Sequence, residues 1–337
     1  MRVVVVGATG NIGTALLRRL HAAVGVDIVG VARREPSRVG PYADVEWVTI
    51  DISRRDAAPA LAQAFAGADA VVHLAWALQP NRDEATMTAT NVDGTSRVLT
   101  AVAAASVPHL VVSSSVGAYS FGPKSERVDE SWPTGGIATS QYSRQKAANE
   151  RALDRFEVQH PDVTVTRVRP GLAFQASAAA EQRRLFIGRL VPVEVLRWWR
   201  PPVLPFPSLG VFQAVHSDDL ADAFWRILDR RAAGAFNIAA EPVLHPAALA
   251  RVLGSRAWIP FRARVARWLV EVTWRLRLQE MDPGWVDIGT QVPVMSTTRA
   301  RTELEWEPAV SATDALAEII EAVAYGKGQR GSSPLHT

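Results

Sequence analysis

The side chains best suited to chemistry in this chain are three consecutive serines at positions 113–115 and two residues four apart, Tyr142 and Lys146. Residues four apart share one face of a helix, so the lysine would stand beside the phenol. Its positive charge would lower the pKa of Tyr142 from about 10 and allow proton exchange near neutral pH. A serine hydroxyl after the preceding strand would hydrogen-bond a substrate oxygen on which charge develops. The pattern predicts acid–base chemistry at that oxygen.

A phosphate-binding turn that would bring a cofactor to these groups is predicted at the N-terminus. Four valines at positions 3–6 indicate a strand buried on both faces, and the letters GATGNIG follow directly. Gly7 permits a tight turn, Gly10 lets the backbone approach a pyrophosphate, and Gly13 lets the next helix, predicted over residues 11–23, pack closely. That helix points its unpaired N–H groups at the phosphates. The strand before and the helix after favour a dinucleotide site over a chance glycine-rich turn.

The end of the second predicted strand, residues 27–32, indicates which dinucleotide is bound. An acidic residue there would accept hydrogen bonds from the ribose of NAD, but this chain has Ala32, followed by Arg33 and Arg34. A guanidinium can hold a 2′-phosphate, so Arg33 favours NADP, with Arg38 close enough in sequence to assist. The alternative is that these arginines are solvated loop residues, and NAD then remains a candidate cofactor.

Length and composition limit the class of protein. The 337 residues are 48% hydrophobic and carry a net charge of +3, from 37 basic and 34 acidic side chains, so no nucleic-acid partner is expected. The chain has no cysteine, which excludes disulfides and thiolate metal sites and fits a cytoplasmic location. No signal peptide and no apolar stretch of about 18 residues that could span a bilayer are expected.

Strands and helices alternate along the chain in the way that produces an α/β fold with a doubly wound, Rossmann-type parallel sheet of six or seven strands. The predicted strands are 3–6, 27–32, 45–50, 70–74, 110–112 and 163–168. Residues 1–171 are predicted to form the dinucleotide-binding domain, with later segments able to return to it. Residues 172–325 would form mainly a smaller α/β substrate-binding region, and 326–337 a disordered tail.

Taken together, the motifs resemble those of the extended short-chain dehydrogenase/reductase family, also called the NAD-dependent epimerase/dehydratase family. The matching segments are GATGNIG at 7–13, residues 51–52, 73–75 and 91–95, the serine triplet, YSRQK at 142–146, and residues 169–171, 215–219 and 296–308. The resemblance covers nearly the whole chain.

This resemblance implies a role for each matching residue. Ser115 would be the catalytic serine, acting with Tyr142 and Lys146. The implied cofactor-binding residues are Gly7, Thr9, Gly10, Asn11, Ile12, Gly13, Arg33, Arg34, Asp51, Ile52, Leu74, Ala75, Asn91, Ser113, Tyr142, Lys146, Pro170, Gly171 and Leu172. Of these, Asp51 and Ile52 would contact adenine, Lys146 the nicotinamide ribose, and residues 170–172 the nicotinamide. The resemblance is also compatible with a homodimer formed through helices 83–105 and 141–156.

The sequence leaves the small-molecule substrate open, because the expected pocket wall, residues 174–207, is both aromatic and basic. Its members include Phe186, Trp198, Trp199, Pro201, Pro202, Pro205 and Phe206, with Arg183, Arg184, Arg189, Arg197 and Arg200. The leading hypothesis is an NADPH-dependent oxidoreductase that reduces a carbonyl or oxidises the alcohol. The alternative is a nucleotide-sugar epimerase or dehydratase. A non-catalytic NADP-sensing protein is a third, against which the intact Ser115, Tyr142 and Lys146 count.

Three further features have a structural and a functional interpretation. His73 ends an apolar strand and is expected to be a structural histidine rather than a proton shuttle. Asp218 and Asp219 follow His216, but they are expected to complement a helix dipole, and no metal is predicted. The helix predicted over residues 262–278 has an apolar face opposite arginines. That face would either pack on the second region, the favoured interpretation, or lie on an anionic membrane.

Overall fold

The computed structural model describes residues 1–79, 81–180 and 200–326. Its strands are β1 (Arg2–Val6), β2 (Asp27–Ala32), β3 (Glu46–Thr49), β4 (Ala70–His73), β5 (His109–Ser113), β6 (Arg127–Val128), β7 (Thr164–Pro170), β8 (Leu172–Phe174), β9 (Val203–Pro207), β10 (Ala214–His216), β11 (Gly234–Ile238), β12 (Ala257–Phe261) and β13 (Val294–Met295). The α-helices are α1 (Asn11–His21), α2 (Ala57–Phe65), α3 (Glu84–Thr88), α4 (Gly94–Ala104), α5 (Gln141–Gln159), α6 (Ser217–Arg230), α7 (Pro246–Val252), α8 (Ala263–Arg275), α9 (Gly284–Gln291), α10 (Thr298–Glu303) and α11 (Ala312–Tyr325).

Seven of these strands form one parallel sheet in the order β3-β2-β1-β4-β5-β7-β11. The four valines of β1 are buried at its centre, as a continuous β-branched run predicts. The strand order reverses between β1 and β4, and in open α/β sheets such a reversal is where ligands bind, at the carboxyl ends of the strands. The predicted doubly wound α/β fold is therefore confirmed.

Helices cover both faces of the sheet. On one face α1 packs against α6, and their leucines and phenylalanine share a core with the buried Trp306. On the other face lie α2, α4 and α5, which contribute Leu61, Phe65, Val98, Val102 and Leu153 to a second core. Both layers hold this edge of the sheet rigid, since close-packed interiors deform little.

Two segments beyond residue 171 return to the sheet. Strand β11, whose sequence predicts a short strand at 236–239, pairs in parallel with β7 and becomes the seventh strand. Helix α6 packs on α1 and so covers the same face as the first crossover helix. Part of the chain after residue 171 therefore belongs to the same layers as residues 1–171.

The helix predicted over residues 83–105 is interrupted. It consists of α3, a π-helical turn (Ala89–Asp93) and α4. Single π turns inside helices commonly occur at functional sites. Here the turn carries Asn91, whose side chain is fully buried and reaches the loop after β4.

The second region consists of short parallel pairs, β8 with β10 and β9 with β12, together with α7, α8, α9 and α11. Pro205 and Phe206 of the expected pocket wall lie in β9, and Arg200 packs beside Gly254. The other aromatic and basic members of that wall, Phe186, Trp198, Trp199, Arg183, Arg184, Arg189 and Arg197, lie outside the described residues. So does the predicted tail beyond Gly326.

Candidate active site

The glycine loop has the close contacts that a phosphate cradle needs. Gly7 has a φ of +88°, and a Cβ there would lie 2.6 Å from the amide nitrogen of Ala75. A Cβ on Gly13 would lie 2.4 Å from the carbonyl oxygen of Gly7, so only glycine lets α1 start this close to β1. Gly10 precedes α1 and makes no side-chain capping bond, which leaves the first amides of the helix available to an anion. These residues fit a dinucleotide pyrophosphate.

Asn11 fastens the glycine loop to the segment after β7. Its Nδ2 donates to the carbonyl oxygen of Ala173 at 3.0 Å, and its Oδ1 accepts from Gln175 Nε2 at 2.6 Å and Ser217 Oγ at 3.1 Å. The side chain is therefore a structural tie, and Asn11, the first residue of α1, would interact with a phosphate through its backbone amide. Gly171 and Leu172, predicted to line the nicotinamide, are held by bonds from their amides to Ile238 and Gln213.

The position predicted for the adenosine contains no carboxylate at the end of β2. Ala32 is buried there, and both Arg33 and Arg34 are exposed. The segment that follows β3 lies beside Ala32. Ile50, in that segment, donates its amide hydrogen to the carbonyl oxygen of Ala32 at 2.9 Å. Asp51, just beyond it, accepts from the amide and hydroxyl of Ser53 at 2.9 and 2.7 Å. Arg38 pairs with Glu35 at 2.8 Å.

The three predicted catalytic residues meet at the carboxyl end of β5. Ser115 Oγ accepts from the amide of Gly117 at 3.0 Å, and Ser115 is close enough to the Tyr142 hydroxyl to favour its ionised form. Lys146 Nζ donates to the carbonyl oxygen of Ser113 at 2.9 Å. Gly117 makes this approach possible, because a Cβ there would lie 2.8 Å from the Tyr142 ring. Spacing along α5 and the turn after β5 thus assemble the site.

Two tryptophans that sequence reasoning did not select surround this pair. Lys146 Nζ lies 3.6 Å from the ring centre of Trp76, in cation–π contact. The Trp76 ring meets Tyr142 edge-on at 5.4 Å between centroids, and the Trp285 ring lies 4.9 Å from Tyr142. Trp76 directly follows the 73–75 motif, which was the available signal. No sequence signal identified Trp285, because it is remote in sequence from Tyr142 and from every matching motif of the site.

Burial changes the acid–base properties from those expected. It raises the pKa of Tyr142 to about 12, against the opposing effect of the nearby Ser115. Burial also lowers the pKa of Lys146 to about 7, although Glu150 one turn further along α5 favours the charged form. The expectation that Lys146 lowers the pKa of the phenol is therefore wrong for this structure. Both side chains have lost solvent, which disfavours both charged forms.

A buried ion pair between Glu150 and Arg169 contacts the serine triplet through Ser114. Glu150 accepts from Arg169 Nε and Nη2, both at 2.9 Å, and from Ser114 Oγ at 2.5 Å. The Arg169 guanidinium also donates to the hydroxyl of Tyr119 at 3.0 Å. These contacts lower the pKa of Glu150 despite its burial. Since Ser114 lies between Ser113 and Ser115, the network fixes the serine triplet.

Asn91 positions the segment after β4. It accepts from the amide of Ala77 at 2.7 Å, and it donates to the carbonyl of Ala77 and to Gln145 Oε1, both at 2.9 Å. Its side chain thus holds Ala77, in the segment that follows β4, against α5. The cofactor contact implied by the motif stays a prediction.

His73 lies at the same edge, with Nε2 3.0 Å from Thr95 Oγ1. Burial lowers its pKa to about 3, so the ring is neutral at physiological pH. That state fits the structural interpretation. Within the described ranges, His, Cys, Asp and Glu side chains form no group of three that could hold a metal ion.

The parallel sheet, the glycine cradle at its central strand and the Ser-Tyr-Lys cluster beside it define a dinucleotide-binding α/β protein of the Rossmann type. Residues 3–239 match the model of the NAD dependent epimerase/dehydratase family. The chain belongs to that family, so the resemblance drawn from its motifs is confirmed.

A relative of known sequence covers the whole chain. It is an uncharacterized protein of Mycobacterium tuberculosis, Rv2047c, 29% identical over 335 residues, and the match covers 98% of this chain and 31% of that protein. The chain therefore spans about a third of the length of this relative.

Solved structures share the fold over nearly the whole length. One is DesIV, a dTDP-glucose 4,6-dehydratase from Streptomyces venezuelae with NAD bound, with a TM-score of 0.71 and 21% identity over 98% of this chain and 99% of that chain. Another is the UDP-glucose 4-epimerase of Thermus thermophilus in complex with NAD, with a TM-score of 0.68 and 20% identity over 96% and 99%. At these identities the likeness establishes the fold.

Proposed function

We propose that the chain is a nicotinamide-dependent oxidoreductase that reduces a carbonyl group of a small molecule, or oxidises the corresponding alcohol. The observation that carries this proposal is the placement of Tyr142, near Ser115 and with its ring packed beside Trp76 and Trp285. A pKa of about 12 keeps the phenol protonated at neutral pH. A protonated phenol is a proton donor, and carbonyl reduction requires one.

In the proposed reduction the glycine loop and Lys146 would hold a nicotinamide, whose chemistry when bound would be hydride transfer to the carbonyl carbon. Tyr142 donates its phenolic proton to the carbonyl oxygen, so that the C=O group becomes a CH–OH group. Ser115 accepts the amide hydrogen of Gly117 and can direct its own hydroxyl hydrogen at the same oxygen. Lys146, with a pKa of about 7, can lose and regain a proton at neutral pH and so return one to Tyr142. One proton from solvent completes the balance.

The cofactor would be held by the residues that the family motifs indicate. The glycine loop would bind the pyrophosphate, and Lys146 the nicotinamide ribose. Arg33, exposed beside the buried Ala32, would pair with a 2′-phosphate, which favours NADPH over NADH. The proposed location of the enzyme is the cytoplasm.

A second candidate function is a nucleotide-sugar epimerase or dehydratase. It is favoured by the whole-length likeness to DesIV and to the Thermus thermophilus epimerase, whose names specify dTDP-glucose and UDP-glucose. Such an enzyme returns the hydride to its substrate. The aromatic neighbours of Tyr142 favour the carbonyl reductase, since Trp76 and Trp285 both pack against its ring.

The two candidates differ in the fate of NADPH. The purified chain is supplied with NADPH and a panel of aromatic and aliphatic aldehydes and ketones, and separately with UDP-glucose and dTDP-glucose. We expect loss of NADPH absorbance in a one-to-one ratio with alcohol formed from at least one carbonyl. A nucleotide sugar converted with no net loss of NADPH would replace the first candidate by the second.

Tyr142→Phe removes the proton donor and is expected to slow the carbonyl-dependent loss of NADPH by roughly 100-fold. Tyr325→Phe is the matched control, because Tyr325 is exposed at the end of α11 and far along the chain from the site. Equal loss of activity in both variants would mean that the loss does not come from removing the proton donor, and it would count against the role of Tyr142.

A further inference from the structure

Helix α8 turns its apolar residues towards solvent. Val265 and Leu269 are each 47% exposed and Trp268 is 61% exposed, although the three share one face at helical spacing. Among the residues of this helix, Ala266 is the one that is buried. The favoured prediction, that the apolar face packs on the second region, is therefore wrong.

The polar side of α8 is the side that holds it to the protein. Arg267 bridges Glu271 of the same helix and Asp287 of α9, each at 3.0 Å. Trp274 lies against the guanidinium of Arg82, whose carbon is 4.2 Å from the ring centre. These contacts orient the helix, because turning its apolar face inward would break them.

The exposed apolar residues extend beyond the helix. Leu276 is 63% exposed, Leu278 47%, and Ile259 in the preceding strand β12 is 56% exposed. We call the exposed residues of the helix and of the turn after it the α8 patch: Val265, Trp268, Leu269, Leu276 and Leu278. Clustered apolar exposure of this kind on a globular protein marks an interaction surface.

The charge of the segment that carries the patch is mostly positive. Residues 256–279 contain six arginines and one acidic residue, Glu271, whereas the whole chain has a net charge of only +3. Glu271 already pairs with Arg267 and Arg275. Four arginines in this stretch are exposed and take part in no salt bridge found among the described residues: Arg256, Arg262, Arg264 and Arg277. A partner for this surface must be apolar and anionic at once.

We propose that the α8 patch docks on the surface of an anionic lipid bilayer. The apolar side chains would enter the boundary between headgroups and acyl chains, and the arginines would extend to the lipid phosphates. Tryptophan is a typical residue at that depth. A second copy of the chain fits less well, because a symmetric contact would bring two arginine-rich patches together.

Docking at this place would be peripheral. In the described parts of the chain no helix is both long and apolar enough to cross a bilayer. Helix α8 packs on α9, which carries Trp285 against Tyr142. The bilayer would therefore lie on the same side of the molecule as that wall of the candidate active site.

Flotation of the full chain with lipid vesicles tests the proposal. The probes are vesicles of phosphatidylcholine alone and vesicles in which about one third of the lipid is phosphatidylglycerol. We expect binding to the anionic vesicles that is at least about tenfold tighter than to the neutral ones. It should weaken between about 0.1 M and 1 M salt, over which the Debye length falls from about 10 Å to about 3 Å. Absence of binding to anionic vesicles at the lower salt would overturn the proposal.

Paired variants distinguish binding through the α8 patch from nonspecific adsorption of the protein to vesicles. Trp268→Ser with Leu269→Ser should weaken binding to anionic vesicles at least about tenfold, and so should Arg262→Gln with Arg264→Gln. The matched controls remove exposed side chains elsewhere: Val24→Ser with Val158→Ser, and Arg55→Gln with Arg301→Gln. Circular dichroism checks that each variant is folded. Equal losses in patch and control variants would overturn the proposal.

Sedimentation of the chain without lipid tests the competing occupant. A concentration-dependent dimer that the Trp268→Ser and Leu269→Ser changes dissociate would assign the patch to a second copy and overturn membrane docking. A sedimentation profile that these changes leave unaltered, together with their loss of vesicle binding, supports it.

Discussion

Helices α1 and α8 have similar amphipathic sequences and opposite surroundings. In α1 the apolar residues Leu16, Leu17 and Leu20 are buried between the sheet and α6. In α8 the equivalent face, with Trp268 and Leu269, is exposed. An apolar stripe therefore predicts that a helix has a face to cover, but not what covers it.

The difference lies in what the neighbouring chain offers. Helix α1 begins at a glycine turn that directs it onto the sheet, where α6 completes the layer. Its arginines reach outward to partners on α6, and Arg19 pairs with Asp222 at 2.9 Å. In α8, by contrast, Arg267 lies on the side of the helix that faces the protein, where it pairs with Asp287 of α9. The same residue types thus orient the two helices in opposite ways.

The same substitution in each helix would test this contrast most strongly. Leu16→Ala should lower the free energy of unfolding by about 2–5 kcal/mol, because it leaves a cavity in a closed core. Leu269→Ala should change it by less than about 0.5 kcal/mol, because that side chain is half exposed. Denaturant unfolding measures both. Equal losses would mean that the apolar face of α8 is covered in solution, and the contrast would fail.

Tyr142→Phe should separate chemistry from docking. Turnover should fall by roughly 100-fold, about 2.7 kcal/mol in activation free energy, because the variant cannot donate a proton. Its binding to anionic vesicles should equal that of the wild type, because α8 is untouched. Steady-state kinetics and flotation on one preparation give both values. A near-normal rate would remove Tyr142 from the proposed mechanism.

Lys146→Met should alter the pH dependence of stability. The unfolded chain holds the lysine proton up to a pKa of 10.5, but the folded chain only to about 7. Between these values the folded state binds fewer protons, so this residue makes stability rise with pH, by up to about 1.4 kcal/mol per pH unit. The wild type should therefore gain stability relative to Lys146→Met between pH 7 and 9. Parallel curves in denaturant titrations across that range would contradict the lowered pKa.

Arg33→Ala is expected to have the smallest effect. Loss of one charge-assisted contact to the 2′-phosphate should weaken NADPH binding by about tenfold, or about 1.4 kcal/mol, and leave NADH binding unchanged. Calorimetric titration with each cofactor measures it. Arg54→Ala is a suitable control, because that arginine is exposed and paired with Asp56. Unchanged NADPH binding would remove the basis for a preference for NADP.

Much of the sheet could be predicted from sequence, because its signals are local. The run at 3–6, the glycine turn and the spacing of Tyr142 and Lys146 each depend on backbone sterics and on the period of a helix or strand. The π turn at Ala89–Asp93 could not be predicted. It accompanies the bonds of Asn91 to Ala77 and Gln145, which are 14 and 54 residues away.

The sequence by itself determined which groups reach the candidate site: a glycine cradle on the first strand, and a tyrosine and a lysine one helical turn apart. Only the tertiary structure decided their chemical state. The pKa of the Tyr142 phenol depends on how much water remains around it, and Trp285, which comes from a segment 143 residues further along the chain, helps to exclude that water. The exposed face of α8 was decided in the same way, by contacts with Asp287 and Arg82. In both places the exposure of a side chain depends on segments that are remote in sequence, so the local pattern around Tyr142 and in α8 could not predict it.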